Sequence, residues 1–424
     1  MTMTTAEAAG RRQTAWIVGA FLGVFFLQRI AIPGLPIPVT LPLTVVWLAF
    51  ALRARIVELD PTRTVVWLGV FGSTALLMVP QLFLLTNPMI SVNSWGLLVA
   101  VWLPMVFRFR TRTGQAYYAA MRGVARAGGG ISTLAVLFIA LQQFGIPYRD
   151  LLAEVLPRSL IVPGFVTTYP IFWGSSIFKA NAWFALEASF LSFMLGLAMV
   201  AALISRRHPA LVVWIGLGIL CTTAGSGIVI VLLYVLVSVV RGDGRHLLRY
   251  LLFGIPVLLI GTATALGDAI LSRVGEAGQA RSSTSLRAIE PYLHLVPRWF
   301  SDVSLALVGG GPGSSQRVID DLGILGLLVP TPAKMLYDYG LIGGVLLLAM
   351  ILLAYRGSPA PALAFALAVS MMLLQGSAQP LVVLSLLTVT MFAPHQGIVN
   401  EDPPDAQPAQ EERLPLRSRS VPHP

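Results

Sequence analysis

Long apolar stretches alternate with short polar segments along most of this chain. Apolar runs of about 17 to 25 residues recur along the chain, the length that an α-helix needs to cross a hydrocarbon core of about 30 Å. The pattern therefore predicts an all-α, polytopic integral membrane protein of about twelve transmembrane helices. The predicted spans are 14–32, 37–52, 64–83, 92–107, 128–144, 183–204, 210–222, 227–240, 250–267, 333–354, 360–375 and 379–393.

Two polar insertions and a polar tail interrupt this alternation. The first insertion covers about 145–182 and the second, more cationic one about 268–332. After 393 the chain is rich in proline and mixed charge, a composition that cannot bury a core. We therefore expect one transmembrane bundle over 1–393, with two long outer loops, and a disordered cytoplasmic tail over 394–424.

Charge decides how the chain is oriented. Only 11% of its residues are charged, against about a quarter in soluble domains. The net charge of +10 therefore does not indicate nucleic-acid binding. The positions of the cationic residues indicate instead how the protein is oriented in the membrane. Every short loop assigned to the cytoplasm carries arginine, while the short outer turns carry none, as the positive-inside rule requires. This predicts a multi-pass protein of the cell membrane with both termini in the cytoplasm and both insertions outside.

The larger insertion carries the strongest chemical signal. A planar guanidinium binds phosphate oxygens in a two-pronged geometry that an ammonium cannot match. Fixed arginines would stabilise a diphosphate leaving group as it gains negative charge. The alternative is a set of solvated or ion-paired loop residues, because acidic residues share this insertion. The arginines considered as substrate ligands are Arg273, Arg281, Arg287 and Arg298.

The first insertion combines cations with aromatic residues. Arg158 and Lys179 are further candidates for binding an anionic substrate. Tyr169 and Trp173 lie in its proline-broken centre, where aromatic faces would cover the apolar face of a sugar. The alternative is a re-entrant or surface-lying stretch that merely plugs the bundle, since such side chains also belong at the membrane–water interface.

Glu187 is placed about one turn inside the outer end of the sixth predicted span. A carboxylate inside a span is costly and indicates function. Glu187 is a candidate general base that accepts a proton from an incoming sugar hydroxyl. The alternative is a side chain that reaches up to the interface or pairs with an outer arginine.

The run Gly309–Gly310–Gly311–Pro312–Gly313 is not a nucleotide-binding loop, because no Gly-Lys-Ser/Thr follows it and no strand precedes it. It predicts a tight turn whose backbone N–H groups, with Gly311 and Gly313 as candidates, face an anion. No spacing of His, Cys and Asp suggests a metal site. We expect neither a metal nor another cofactor.

Three landmarks resemble the O-antigen ligase and O-antigen polymerase family of bacterial polysaccharide membrane proteins. The first is the approach to the sixth span, Phe178 to Ser189, and the second is the hairpin Thr222 to Gly227. The third is the glycine run followed by Tyr339-Gly340-Leu341-Ile342-Gly343. Together they cover roughly 150–350.

The resemblance implies a GT-C-like membrane fold and metal-independent glycosyl transfer on the outer face. The donor would be an oligosaccharide on undecaprenyl diphosphate, and a flippase and a chain-length regulator would be partners. Arg287 is the position that matches the family's large-loop arginine, and Arg158 is a looser match to the arginine of the earlier loop. With Glu187, they form the expected catalytic set.

The resemblance favours a polymerase that joins lipid-linked repeat units. Ligases of the family carry a histidine shortly before the Gly-Leu-Ile-Gly motif, whereas Val329 to Lys334 contain none. Transfer of a glycan to a lipid or protein acceptor stays open as the alternative within the family. From other classes, a transporter or flippase of lipid-linked sugars and a scaffold subunit stay open. The sequence does not reveal the sugar, the linkage or the chain-length control.

Overall fold

The computed structural model describes residues 5–172, 174–242, 285–286, 289–324, 326–373 and 379–393, with positions 244, 247 and 250. Most of them are helical. The helices are α1 (Thr5–Leu27), α2 (Thr40–Arg53), α3 (Pro61–Leu84), α4 (Val92–Trp102), α5 (Gly114–Gln143), α6 (Leu151–Val155), α7 (Ala188–Ile204), α8 (Pro209–Thr222), α9 (Gly225–Val240), α10 (Glu290–Trp299), α11 (Val303–Val308), α12 (Ser314–Asp320), α13 (Thr331–Tyr355), α14 (Pro361–Leu373) and α15 (Gln379–Val389). Short 3₁₀ turns cover Leu103–Val106, Arg158–Leu160 and Thr390–Phe392.

Helices occupy every predicted span except the ninth, 250–267, of which only position 250 is described. Three helices of the described part, α3, α5 and α13, are long and apolar enough to cross a membrane. The other predicted spans coincide with shorter apolar helices or, in α1, with a helix that begins among polar residues. The architecture is compatible with an all-α membrane protein. The predicted tail, 394–424, also lies outside the described residues.

Helix α3 exposes large apolar side chains, while two of its four buried residues are polar. Leu76 is 73% exposed and Phe83 82%, whereas Thr74 and Gln81 are fully buried. In water this distribution would be unfavourable, because burial of apolar surface drives folding. In a bilayer it is favourable, because lipid covers the apolar face and the polar groups find partners inside the protein.

The bundle core is built around α5, which packs against α1, α7 and α8. Small residues bring the backbones close: a Cβ added to Gly218 would lie 2.6 Å from the Ser132 hydroxyl. Between α7 and α9, a Cβ on Gly196 would lie 2.6 Å from the Cα of Gly227. Close approach of this kind is how membrane helices gain van der Waals contact without a hydrophobic driving force.

One end of the bundle gathers the loops that the sequence assigns to the cytoplasm. Strands β3 (Val57–Leu59) and β4 (Phe107–Phe109) form a small antiparallel sheet between two of these loops. Arg108 donates to Glu58 at 2.8 Å and to Asp60 at 3.3 Å. The guanidinium of Arg63 donates to the carbonyl of Thr390 at 2.6 Å.

One detail of this end differs from the prediction. The sequence predicts the fifth span at 128–144, but α5 begins at Gly114. Residues 114–127 include five alanines and two arginines, which are strong helix formers, so the helix extends beyond the apolar run. The chain enters it through Thr113, whose hydroxyl accepts from the N–H of Ala116.

The other end of the bundle carries the first insertion, with a hairpin of strands β1 (Ala31–Ile32) and β2 (Leu35–Pro38) beside it. The insertion is tied to this hairpin because the N–H of Val162 donates to the carbonyl of Arg29 at 3.0 Å. An isolated bridge also joins Ile30 to Ile161.

Candidate functional site

The carboxylate of Asp338 is the centre of a densely hydrogen-bonded polar cluster. Asp338 is fully buried, although it lies in the apolar helix α13. Its Oδ1 accepts from the N–H of Ser315 at 2.8 Å and from the hydroxyl of Ser314 at 3.1 Å. Its Oδ2 accepts from the N–H of Gly313 at 2.9 Å and from Lys334 Nζ at 2.9 Å. A buried charge is tolerated when it is paired and hydrogen-bonded in this way.

The backbone of the glycine run lies directly against the backbone of α13. Gly310 N–H donates to the Tyr337 carbonyl at 2.8 Å, and Gly311 N–H donates to the Asp338 carbonyl at 3.0 Å. Gly340 has φ +65 and ψ −172, so α13 is broken there. A Cβ on Gly340 would overlap the Leu307 carbonyl, and a Cβ on Gly309 (φ +80) would overlap backbone atoms of Asp338. Glycine is the residue that combines a positive φ with such an approach.

Two further contacts connect this cluster to α3 and to the turn after it. The fully buried Gln81 donates through Nε2 to the carbonyl of Val308 at 2.6 Å and to that of Asp338 at 3.1 Å. Ser91 N–H donates to the carbonyl of Pro312 at 2.9 Å. The glycine run is therefore fixed on α3, the start of α4 and α13 at once.

The backbone N–H groups that were predicted to face an anionic substrate have hydrogen-bond partners within the protein. The N–H of Gly311 is bonded to the Asp338 carbonyl, and that of Gly313 to the Asp338 carboxylate. The anion that this turn binds is thus a side chain of the protein. Gly311 and Gly313 shape the loop but have no free backbone donor for a ligand, which corrects their expected role.

A buried ion pair fastens the first insertion to the bundle. Arg29, 4% exposed, donates to both oxygens of Asp150 at 2.9 and 2.6 Å. It also donates to the carbonyl of Trp183 at 2.8 Å. Thr167 donates to Asp150 at 3.2 Å. Burial acts to raise the pKa of Asp150, but the hydrogen bonds and charge of Arg29 outweigh burial and leave this pKa below its ordinary value of 3.8.

The structure brings Lys179 and Tyr169 of the insertion together. Lys179 N–H donates to the Tyr169 carbonyl at 2.9 Å, and its Nζ lies 5.8 Å from the centre of the tyrosine ring. This is cation–π geometry. Tyr169 remains 40% exposed, so part of its ring is open to a ligand. Trp173, the other aromatic candidate, lies outside the described residues.

Glu187 stands at the entrance of α7, which corrects its placement inside the span. The helix begins at Ala188, and Glu187 has extended backbone angles. Ala182 and Trp183 adopt a left-handed conformation, and Asn181 Oδ1 accepts from the Trp183 N–H at 3.0 Å. This Asx turn prevents an earlier helix start. Glu187 is 9% exposed, and its carboxylate accepts from the Ser189 hydroxyl at 3.3 Å.

The turn between α8 and α9 closes over the same region. The N–H of Ala180 donates to the Cys221 carbonyl at 3.1 Å, and the Ser226 hydroxyl donates to the Ser189 carbonyl at 2.6 Å. Lys179 directly precedes Ala180, and Glu187 lies two residues before Ser189. The turn between α8 and α9 thus contacts the chain close to both residues.

The remaining candidates are distributed over both insertions. Arg158 is exposed in its 3₁₀ turn, and Arg298 is exposed in the last turn of α10. Arg273, Arg281 and Arg287 lie outside the described residues. Within the described ranges, no group of three or more His, Cys, Asp or Glu side chains is placed to hold a metal ion.

Asp338 was not singled out in the sequence as a buried, paired carboxylate, although a signal was available. A lone acid inside an apolar helix, with Lys334 four residues before it, is the spacing of a helical ion pair. Comparison with known proteins adds no further assignment: no family model matches the chain, and no curated protein is significantly similar to it.

Proposed function

We propose that the protein is an integral membrane glycosyltransferase that joins oligosaccharide repeat units carried on undecaprenyl diphosphate. In this proposal it works on the outer face of the cell membrane and produces a surface polysaccharide or exopolysaccharide. The proposal combines the motif resemblance to O-antigen polymerases with one structural observation, the position of Glu187.

Glu187 carries the proposal because its surroundings suit a catalytic carboxylate at a membrane surface. It is almost buried, and it precedes the first turn of α7, where the helix dipole favours a negative charge. The cation-bearing insertion and the turn after α8 lie beside it. A lipid-linked sugar would reach such a position from the headgroup layer.

In the proposed reaction, a hydroxyl of the acceptor repeat unit attacks the anomeric carbon of the donor sugar. Glu187 accepts the hydroxyl proton, and a new glycosidic bond forms. The bond between the anomeric carbon and the diphosphate oxygen breaks, and the diphosphate leaves with the electron pair. Arg287, with Arg158 and Lys179, would stabilise the charge that grows on this diphosphate.

Glu187→Gln is the first test of the proposal. A general base contributes about 10²–10⁴-fold to a rate, so the variant should lose transfer by that factor while it still binds donor. The assay is polymerisation of a synthetic lipid-linked repeat unit by the purified protein, with donor binding measured separately. Glu154→Gln, an exposed acid of the first insertion, is the matched control. Unchanged turnover in Glu187→Gln would remove Glu187 from the mechanism.

Arg287→Lys tests the leaving-group contact. Lysine keeps the charge but cannot bind two phosphate oxygens in the planar geometry of arginine. We expect a loss of about 10²-fold or more in transfer, the usual cost of removing one transition-state donor. Arg149→Lys, at an exposed position of the first insertion, is the control. Normal long-chain glycan in a stably expressed Arg287→Lys strain would contradict the assignment.

The glycan made by a deletion strain separates the competing functions. Loss of a polymerase leaves single repeat units, which still reach the outer face. Loss of a ligase leaves long chains that are not attached to their acceptor. Loss of a flippase leaves repeat units on the inner face, and this outcome would overturn the enzymatic proposal.

A further inference from the structure

Helices α10 and α11 of the second insertion expose a row of apolar side chains. Within α10 and within α11 these side chains recur every three or four residues, the spacing of one helical face. Asp302, with extended backbone angles, separates the two helices. Phe300 is 68% exposed and Val303 75%. The row consists of Ile289, Leu293, Val296, Phe300, Val303 and Leu307.

The opposite side of the same segment is fixed to the protein. Leu295 is buried and packs in a small apolar cluster with Ala333 and Tyr337 of α13. Trp299 packs against this cluster as well. The exposed row is therefore held facing outwards and is not turned towards the core by a rotation of α10.

The depth of the row follows from its connection to α3. Val308, directly after the row, accepts a hydrogen bond from Gln81 at 2.6 Å. Gln81 lies about 20 residues along α3 from Pro61, which is about 30 Å of helix. This distance equals the thickness of a hydrocarbon core. The loop before Pro61 is the one that the sequence assigns to the cytoplasmic surface. The end of α11 is therefore about one core thickness away, where the apolar core meets the outer headgroups.

The row also continues the exposed apolar surface of the long helices. Helix α11 packs against both α3 and α13. Near this contact, Leu82 and Phe83 of α3 are 57% and 82% exposed, and Leu341 of α13 is 49% exposed. Lipid that covers these two helices would extend over the row without a break.

We infer that residues 289–307 form an interfacial anchor whose apolar row inserts into the outer leaflet of the membrane. The occupant of this surface is the lipid itself, as for other amphipathic helices that lie in a bilayer surface. The anchor fixes the height of the glycine run, which follows it directly in the chain. This inference requires the membrane placement but not the glycosyl transfer.

Site-directed labelling tests the anchor. In a Cys221→Ala background, single cysteines are introduced by Phe300→Cys and Val303→Cys, with Ser301→Cys and Asp320→Cys as controls at exposed polar positions. The protein is reconstituted into vesicles of phosphatidylethanolamine and phosphatidylglycerol. A water-soluble maleimide is introduced on both sides of the vesicle membrane by freeze–thaw cycles. All four substituted side chains are exposed, so the substitutions remove no core packing.

We expect the cysteines at 300 and 303 to react at least about tenfold more slowly than those at 301 and 320, because each apolar position partitions into lipid. A bimane label at 300 or 303 should be quenched by nitroxide-labelled lipid. Equal maleimide rates without lipid quenching would overturn the inference. Disulfide cross-linking between copies at 300 would also overturn it and identify a second copy as the occupant. Leu293→Cys gives an independent third position.

Discussion

The most direct test of the Asp338 cluster is Asp338→Asn, which keeps the shape of the side chain and removes its charge. Each carboxylate oxygen accepts from two donors at 2.8–3.1 Å. An amide has one acceptor oxygen, so in either orientation its NH₂ group faces two donors. Lys334 also loses its counter-ion.

Breaking a buried ion pair from one side costs about 3–5 kcal/mol. This is a large part of the 5–15 kcal/mol that is typical of folded proteins, so the apparent Tm should fall by roughly 5 °C or more. The assay is thermal unfolding of the purified protein in detergent at a fixed scan rate. Asp320→Asn, an exposed acid of α12 whose carboxylate accepts from Gln316, is the control and should change little.

A double variant identifies the ion pair as the cause. In Lys334→Met with Asp338→Asn no uncompensated charge is left, so the combined loss should be smaller than the sum of the two single losses. An unchanged Tm in Asp338→Asn, or strict additivity of the two substitutions, would refute the reasoning that a charged pair holds the glycine run in place.

Two further predictions concern the glycine contact and the first insertion. Gly340→Ala should lower the apparent Tm and the folded yield, because an added Cβ overlaps the Leu307 carbonyl at a φ of +65, whereas Gly130→Ala in α5 meets nothing within 4 Å and should be neutral or stabilising. Equal Tm values for the two alanine variants would contradict the close approach. Because the pKa of Asp150 is lowered by folding, its contribution is present above the unfolded value of 3.8 and is lost as pH falls through the lower folded value. The difference in apparent Tm between the wild type and Asp150→Asn should therefore stay constant from about pH 7 to 5 and shrink below about pH 4; a constant difference down to pH 3 would disprove it.

Hydropathy located the apolar helices of the described spans, but neither their ends nor the short helices α6 and α10 to α12 of the insertions. The apolar run before Glu187 predicted an unbroken span, because periodicity does not register the Asx turn at Asn181. For α5 the predicted helix was too short. The chain from Gly114 is not strongly apolar, but it forms a helix because of its helix propensity and its Thr113 cap. Both ends are set by local hydrogen bonds, which act over two or three residues and are averaged out in a hydropathy window.

The cluster around Asp338 shows what a sequence motif leaves out. The glycine run and the segment Tyr339 to Gly343 were recognised together as one landmark of the resemblance, but their order in the sequence does not show that they touch. Their contact depends on two backbones meeting at Gly309 and Gly340 and on the donors of residues 313–315 facing one carboxylate. Such a pairing is a property of tertiary packing. The buried pair of Arg29 and Asp150, far apart in the chain, was missed for the same reason.

The order of the Asp338 cluster along the chain also bears on how the protein is made. Its backbone and hydroxyl donors, from Gly313 to Ser315, leave the ribosome before Asp338 does. With the outward orientation proposed above, they have already been translocated when α13 enters the membrane. The carboxylate can then accept hydrogen bonds from these donors as α13 passes from the translocon into the bilayer. In this order of events, the charge of Asp338 is not exposed to lipid without a partner.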